Sequence, residues 1–305
     1  MKVISLSSGS LEVLDDVDAA SVPQLRYDFA WIDTDKIDPA AEKAIKDLTK
    51  IGSLSNFNLP VIVPQGKCTV LVISYYEEMT RRSLKVIVSD KMVITAHAGQ
   101  DSLCSEVMAS VSEMLMSGDF NSGGILLALF TSAIARDTAY LKTLQDSLRN
   151  FESQRKADSE AVVQISTLIN DSKSARRTLY ETKEQISEII IGIAQIPGLD
   201  DTRNFYGVYD SANALHSLAG EFSENVSAYE IRILMAMWEQ VGKAKSNAVG
   251  ISVFAVGLAA ASLLKLLLPE KYLGFDNMYL VFGMIVLGAI AAFVASLPKP
   301  KFKIS

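Results

Sequence analysis

The chain has 305 residues, 49% of them apolar, a formal net charge of −6 and two cysteines. That length can bury a domain core with further elements to spare, and the acidic balance argues against nucleic-acid binding. No phosphate-binding glycine loop, His-based triad or metal-ligand motif occurs, so the sequence does not read as an enzyme. Cys68 and Cys104 are far apart in sequence, and in a cytoplasmic domain they are expected to be reduced and packed. His97 and His216 have no His, Cys or carboxylate at a ligand interval, which argues against a zinc site of the usual kind.

Residues 1–100 read as an α/β domain. "KVISLS", "FAWIDTD", "CTVLVISYY", "SLKVIVS" and "KMVITAHA" are rich in Val, Ile and aromatics and predict strands. Asp90 and Lys91 separate the last two as a tight hairpin. Asp38–Gly52 predicts a helix capped by Asp38, with Pro39 in its first turn. Residues 101–198 predict long helices. "DSLCSEVMASVSEMLMSG" and the run beginning "SGGILLALF" repeat apolar residues every three or four positions, and a charged amphipathic helix from Lys156 to Ile196 should stop at Pro197-Gly198.

Residues 199–247 carry a regular seam. Val208, Ala212, Leu215, Ala219, Phe222, Val226, Tyr229, Ile233 and Ala236 alternate spacings of four and three, the pattern of long helices packed side by side. Carried onward, the count predicts one helix from about Phe205 to Leu268, roughly 95 Å long at 1.5 Å per residue. A break at Gly242, giving two helices, is the alternative. Two apolar runs follow the seam. Residues 248–268 hold one charge, Lys265, and residues 278–297 hold none. Each is long enough to cross the ~30 Å of a bilayer's hydrocarbon. Lys243 and Lys245 before the first run, and Lys299, Lys301 and Lys303 in the tail 298–305, predict a multi-pass protein of the cell (inner) membrane with both termini cytoplasmic. Residues 269–277 then form an outer loop.

The order of these parts resembles the CorA family of divalent-cation channels and transporters across nearly the whole chain. "FAWIDTD" is similar to the family's early Trp-Ile-Asp strand, "SNAVGISVFAV" to its Asn-containing entry to the pore helix, and "KPKFK" to its basic tail. The resemblance implies a funnel-shaped cytoplasmic α/β domain with long helices, two C-terminal transmembrane helices and a homopentamer in the lipid bilayer. It also implies conduction of divalent metal ions, Mg²⁺ first, with Co²⁺, Ni²⁺ or Zn²⁺ as alternatives. No tightly bound cofactor is expected beyond the divalent cation, which is the transported and also a candidate regulatory ion. The family's Gly-Met-Asn tripeptide is absent. The nearest match is "GFDN", in which two residues rather than one separate Gly274 from Asn277.

On that resemblance Asn247, Gly250, Phe254, Gly257 and Ala261 line the pore, with Phe254 a candidate hydrophobic gate. Packing of Phe254 between helices is the competing reading. Gly274, Asp276 and Asn277 are the candidates for the outer mouth, where oxygen ligands would meet a hydrated ion; an ordinary turn would use the same residue types. Lys265 lies one residue, about 100°, to the side of the seam position Leu264. It either snorkels to the headgroups or, facing the axis, repels divalent cations. Asp90, Asp200, Asp201 and Asp210 suit regulatory metal binding in type only. A non-conducting scaffold or sensor that lost the selective loop is the alternative function.

Overall fold

The computed structural model describes residues 1–267 except 36, 53–56, 58, 100–101, 155–158 and 200. Seven strands form one sheet in the order β2-β1-β3-β7-β6-β5-β4. They are β1 (Lys2–Ser7), β2 (Ser10–Leu14), β3 (Phe29–Thr34), β4 (Ile62–Gln65), β5 (Cys68–Glu77), β6 (Thr80–Val88) and β7 (Met92–Ala96). Every pairing is antiparallel except β3 with β7, where Asp33 lies opposite Thr95. The β1–β2 hairpin turns through Ser8 (φ 51°) and Gly9 (φ 81°), and two positive φ angles match the twist of the flanking strands. The predicted hairpin at Asp90-Lys91 joins β6 to β7.

Period-two alternation gives the sheet two apolar faces. Ile45 of helix α1 (Pro39–Thr49) packs with Val3, Ile32, Val70, Ile87 and Ile94 on one of them. Asp38 caps α1 by accepting a 2.7 Å bond from Ala41 N–H, as the sequence predicts. The other face, with Trp31, Leu71, Ile73, Tyr75 and Val86, is covered by the later helices. Strand β5 is thus buried on both faces along nearly its whole length, which is why it reads as an unbroken apolar run.

The helices are α2 (Ser102–Ala109), α3 (Val111–Ser117), α4 (Ser122–Gln154), α5 (Ser159–Ile190) and α6 (Arg203–Leu267). Two of them differ from expectation. The segment predicted as one helix after residue 101 breaks at Ser110 into α2 and α3. Helix α5 stops at Ile190, six residues early, because Gly192 turns left-handed (φ 74°) and Ala194 N–H returns to Glu188 O. Helix α6 passes Gly242 unbroken. A Cβ there would touch nothing within 4 Å, so the glycine costs only its ~1 kcal/mol of helix propensity.

Helix α4 is long and apolar enough to cross a membrane. However, Ile125, Leu126, Leu129, Phe130 and Ala133 are fully buried in the sheet's core cluster, so its apolarity is explained by core packing. The chain divides into two compact units, residues 1–155 with 164–228, and residues 156–163 with 229–305. In the first unit the seam residues Ala212, Ala219, Phe222 and Val226 are buried, and Val208 and Leu215 half-buried. In the second, Ile233 is buried and Tyr229 and Ala236 are half-buried.

Candidate functional site

Asn247, Gly250, Phe254, Gly257, Ala261 and Lys265 all lie on the continuous backbone of α6. Lys265 follows Asn247 by 18 positions, about five whole turns of 3.6 residues, so the two share one face of the helix. Gly274, Asp276 and Asn277 lie outside the described residues. Asp90 sits in the β6–β7 turn, and Asp210 is exposed on α6. Exposed Asp201 forms a bidentate pair with Arg203, which holds its carboxyl below the usual range. Asp200 is not among the described residues.

In the sheet unit, a cavity of about 860 Å³ opens where the parallel strands β3 and β7 end. Six carboxylates line it: Asp15, Asp16, Asp33, Asp35, Glu77 and Glu78. Lys2 pairs with Asp15, and Arg82 and Arg136 pair with Glu77. Glu77 also accepts from the Ser102 hydroxyl, and chiefly this bond, with help from Arg136, lowers its pKa. Asp16, Asp35 and Glu78 have no cation within 4 Å among the described residues, so the cavity carries a negative potential.

His97 and Asp33 meet at its wall. The imidazole is buried, its Nδ1 lies 2.7 Å from Gly99 O, and its Nε2 lies 3.3 Å from both Asp33 oxygens. Asp33 in turn accepts a 2.5 Å bond from Thr95 Oγ1, which accepts one of 3.0 Å from Trp31 Nε1. Cys104 of α2, fully buried, brings its Sγ into the same cluster, and the three ligand-type atoms all lie within 4.8 Å of one another. The sequence offers His97 no ligand-type residue at a local interval, and the fold supplies two. The partners stand 64 positions before and 7 after it and come from three elements, so no local spacing announces them. His216 lies beside the Tyr180 ring at 5.8 Å, and burial, then Lys183 and Arg176, lowers its pKa.

A second polar group is buried between β5, α4 and α5. Asp137 is 2% exposed. Its Oδ1 accepts a 2.8 Å bond from Tyr76 N–H, and its Oδ2 has no hydrogen-bond partner among the described residues. Burial pushes its pKa up to about 7 against the lowering effects of that bond and of Arg81. The Tyr76 ring stacks on Tyr140 at 3.8 Å, and its hydroxyl donates to Ser174 Oγ. Desolvation, then Asp171, raises the pKa of Tyr140. Gln185 Nε2 donates to Val72 O, which ties α5 to β5.

No family model matches the chain, and no curated protein does. Solved structures do. The complete CorA magnesium transporter from Methanocaldococcus jannaschii aligns over 96% of both chains with a TM-score of 0.73 at 16% identity. The full-length CmaX protein aligns over 97% of this chain and 98% of its own with a TM-score of 0.71, again at 16% identity. The ZntB cytoplasmic domain from Vibrio parahaemolyticus covers 78% of this chain and 98% of its own, with a TM-score of 0.62 at 10% identity. At such identities the likeness is one of fold, and the α/β sheet domain followed by long helices is the architecture this chain shares with these structures.

Proposed function

We propose that the chain is a membrane conduit for divalent metal cations, with Mg²⁺ the first candidate, working as a homopentamer in the cell membrane with cytoplasmic termini. The observation that carries this reading is the end-to-end fold likeness to a magnesium transporter. The membrane-length apolar runs at 248–268 and 278–297 support it. Helix α6 would form the stalk and the first span, its Asn247–Ala261 face lining the pore, and residues 269–277 would form the outer mouth. Asp276 and Asn277 would supply oxygens to a hydrated ion, as Gly-Met-Asn does in the family that the sequence resembles.

The second unit gives independent support for self-association. Ile231, Leu234, Met235, Trp238 and Val241 are all exposed, Trp238 by 80%. At about 100° per residue they form one stripe roughly opposite the Tyr229–Ile233–Ala236 seam. An exposed apolar stripe of this kind needs cover, and symmetric copies of the same helix would supply it. Trp238→Glu is therefore expected to shift the purified protein to smaller species in light scattering, since a central aromatic anchor is worth about 2 kcal/mol or more. An unchanged mass would remove this support.

One sequence feature favours the scaffold reading. Lys265 shares the Asn247 face on a 3.6-residue helix, and an ammonium ring on a pore axis opposes divalent cations. Uptake of Mg²⁺ and Co²⁺ into proteoliposomes, measured beside protein-free liposomes, separates the two functions. Flux that persists unchanged in Lys265→Met puts the ammonium in the headgroups, and flux that rises puts it on the axis. No flux from the folded oligomer would leave the scaffold.

A further inference from the structure

We propose that Asp33, His97 and Cys104 form a binding site for one soft divalent transition-metal ion of the Zn²⁺ or Co²⁺ type, inside the sheet unit and separate from any pore. The geometry of the three groups carries the proposal. Ligands at 2.0–2.3 Å from a tetrahedral Zn²⁺ stand about 3.3–3.8 Å from one another. His97 Nε2 already lies 3.3 Å from the Asp33 oxygens, and Cys104 Sγ lies within 4.8 Å of both ligand atoms. A shift of about 1 Å by the thiol completes three corners of the tetrahedron.

The surroundings are those of a ligand set. Gly99 O can only accept, so the 2.7 Å contact places a hydrogen on His97 Nδ1 and turns Nε2 toward Asp33. A backbone carbonyl on the far nitrogen is the usual outer partner of a metal-bound imidazole. The relay from Trp31 Nε1 through Thr95 Oγ1 fixes Asp33 in the same way. A positive centre must then lie between Nε2 and the carboxylate, either a proton or a metal ion. The thiol beside them suits the metal, because sulfur joins an imidazole and a carboxylate as a good ligand for Zn²⁺ or Co²⁺.

Access and selectivity follow from the position. Asp33 and His97 both line the acidic cavity, whose Asp16, Asp35 and Glu78, without a cation partner among the described residues, concentrate cations. The fourth corner can face that cavity and hold water, while Cys104 closes the site from the core side. A thiolate and an imidazole are poor ligands for Mg²⁺, which demands oxygen and keeps its own water. Transition metals are therefore selected over Mg²⁺, whether or not the chain conducts ions.

The test is a Co²⁺ titration of the purified, metal-free full chain in detergent, followed by absorbance. One Co²⁺ per chain is expected, with tetrahedral d–d bands and a thiolate-to-cobalt charge-transfer band in the near ultraviolet. Zn²⁺ should bleach these bands, and Mg²⁺ in large excess should leave them. Cys104→Ser should abolish the charge-transfer band, His97→Gln should weaken binding by about tenfold or more, and Cys68→Ser should retain the full spectrum. Absence of the charge-transfer band from the wild-type chain, whose folding is not in question, overturns the proposal and leaves an Asp33–His97 ion pair only. So does a charge-transfer band that survives in Cys104→Ser.

Discussion

Gly124→Ala is expected to destabilise the sheet unit by on the order of 3 kcal/mol, the upper end of the cost of forcing atoms into a packed site. A Cβ on Gly124 would lie 1.9 Å from the Asp119 carbonyl oxygen, a backbone atom with no rotamer to change. That oxygen also accepts from Asn121 N–H at 2.8 Å, and the Asn121 side chain accepts from Gly124 N–H at 2.9 Å. Moving the loop to admit a methyl group would therefore break the cap of α4, the helix that buries Leu126 and Phe130 against the sheet. Gly207→Ala is the matched control. Its Cβ would meet nothing within 4 Å, so it should stabilise the helix by about 1 kcal/mol or less. Chemical denaturation of the two variants measures both values, and equal effects would contradict the role given to packing at Gly124.

Asp137→Asn is expected to gain stability over the native chain as pH rises from about 5 to 8. The carboxyl titrates near 3.8 when exposed and near 7 in the fold. Between those values the unfolded chain has released its proton while the native chain keeps it, so the native chain loses stability as pH rises through that window. The contribution is whole below about 3.8 and gone above about 7. A carboxyl displaced this far corresponds to on the order of 4 kcal/mol between the two ends of the window. The amide keeps an oxygen for Tyr76 N–H and carries no charge, so its contribution should not vary with pH. The check is the difference in melting temperature between variant and native protein across that range. A difference that is constant, or that shrinks with pH, would contradict a buried carboxyl that stays protonated.

How much of this was legible depends on how local each signal is. The run "CTVLVISYY" predicts β5 because a strand buried on both faces is apolar at every position, and the Asp38-Pro39 pair announces α1 by its capping chemistry. The four-three seam predicts a long helix, and its residues are buried or half-buried from Val208 to Ala236. Strands β2 and β4 escaped because they are the two edges of the sheet. "SLEVL" is mostly exposed, and "IVPQ" carries Pro64, which an edge strand tolerates and a central one does not. The early end of α5 escaped because Gly192 halts the helix five residues before the more conspicuous Pro197. The Ser110 break escaped because the apolar spacing runs on across it.

The Asp33–His97–Cys104 cluster was not legible for a different reason. Its members belong to a strand, the segment after another strand, and a helix, and only the parallel pairing of β3 with β7 brings the first two together. Two local signs were present. Trp31 and Asp33 alternate on one face of β3, and Thr95 and His97 on one side of the β7 segment. Neither names its partner without the register. Asp137 was hidden likewise, as one of several charges along α4, with Arg136 beside it in sequence.

The measurement that bears most directly on the proposed function is divalent-cation uptake by proteoliposomes holding the purified chain, run with an Asn277→Ala variant and a protein-free control. Mg²⁺ or Co²⁺ uptake well above the control, and lost in the variant, is the expected result, because Asn277 would supply the mouth with its amide oxygen. No uptake of any divalent cation by a folded, oligomeric protein would contradict the conduit and leave a scaffold with the same fold.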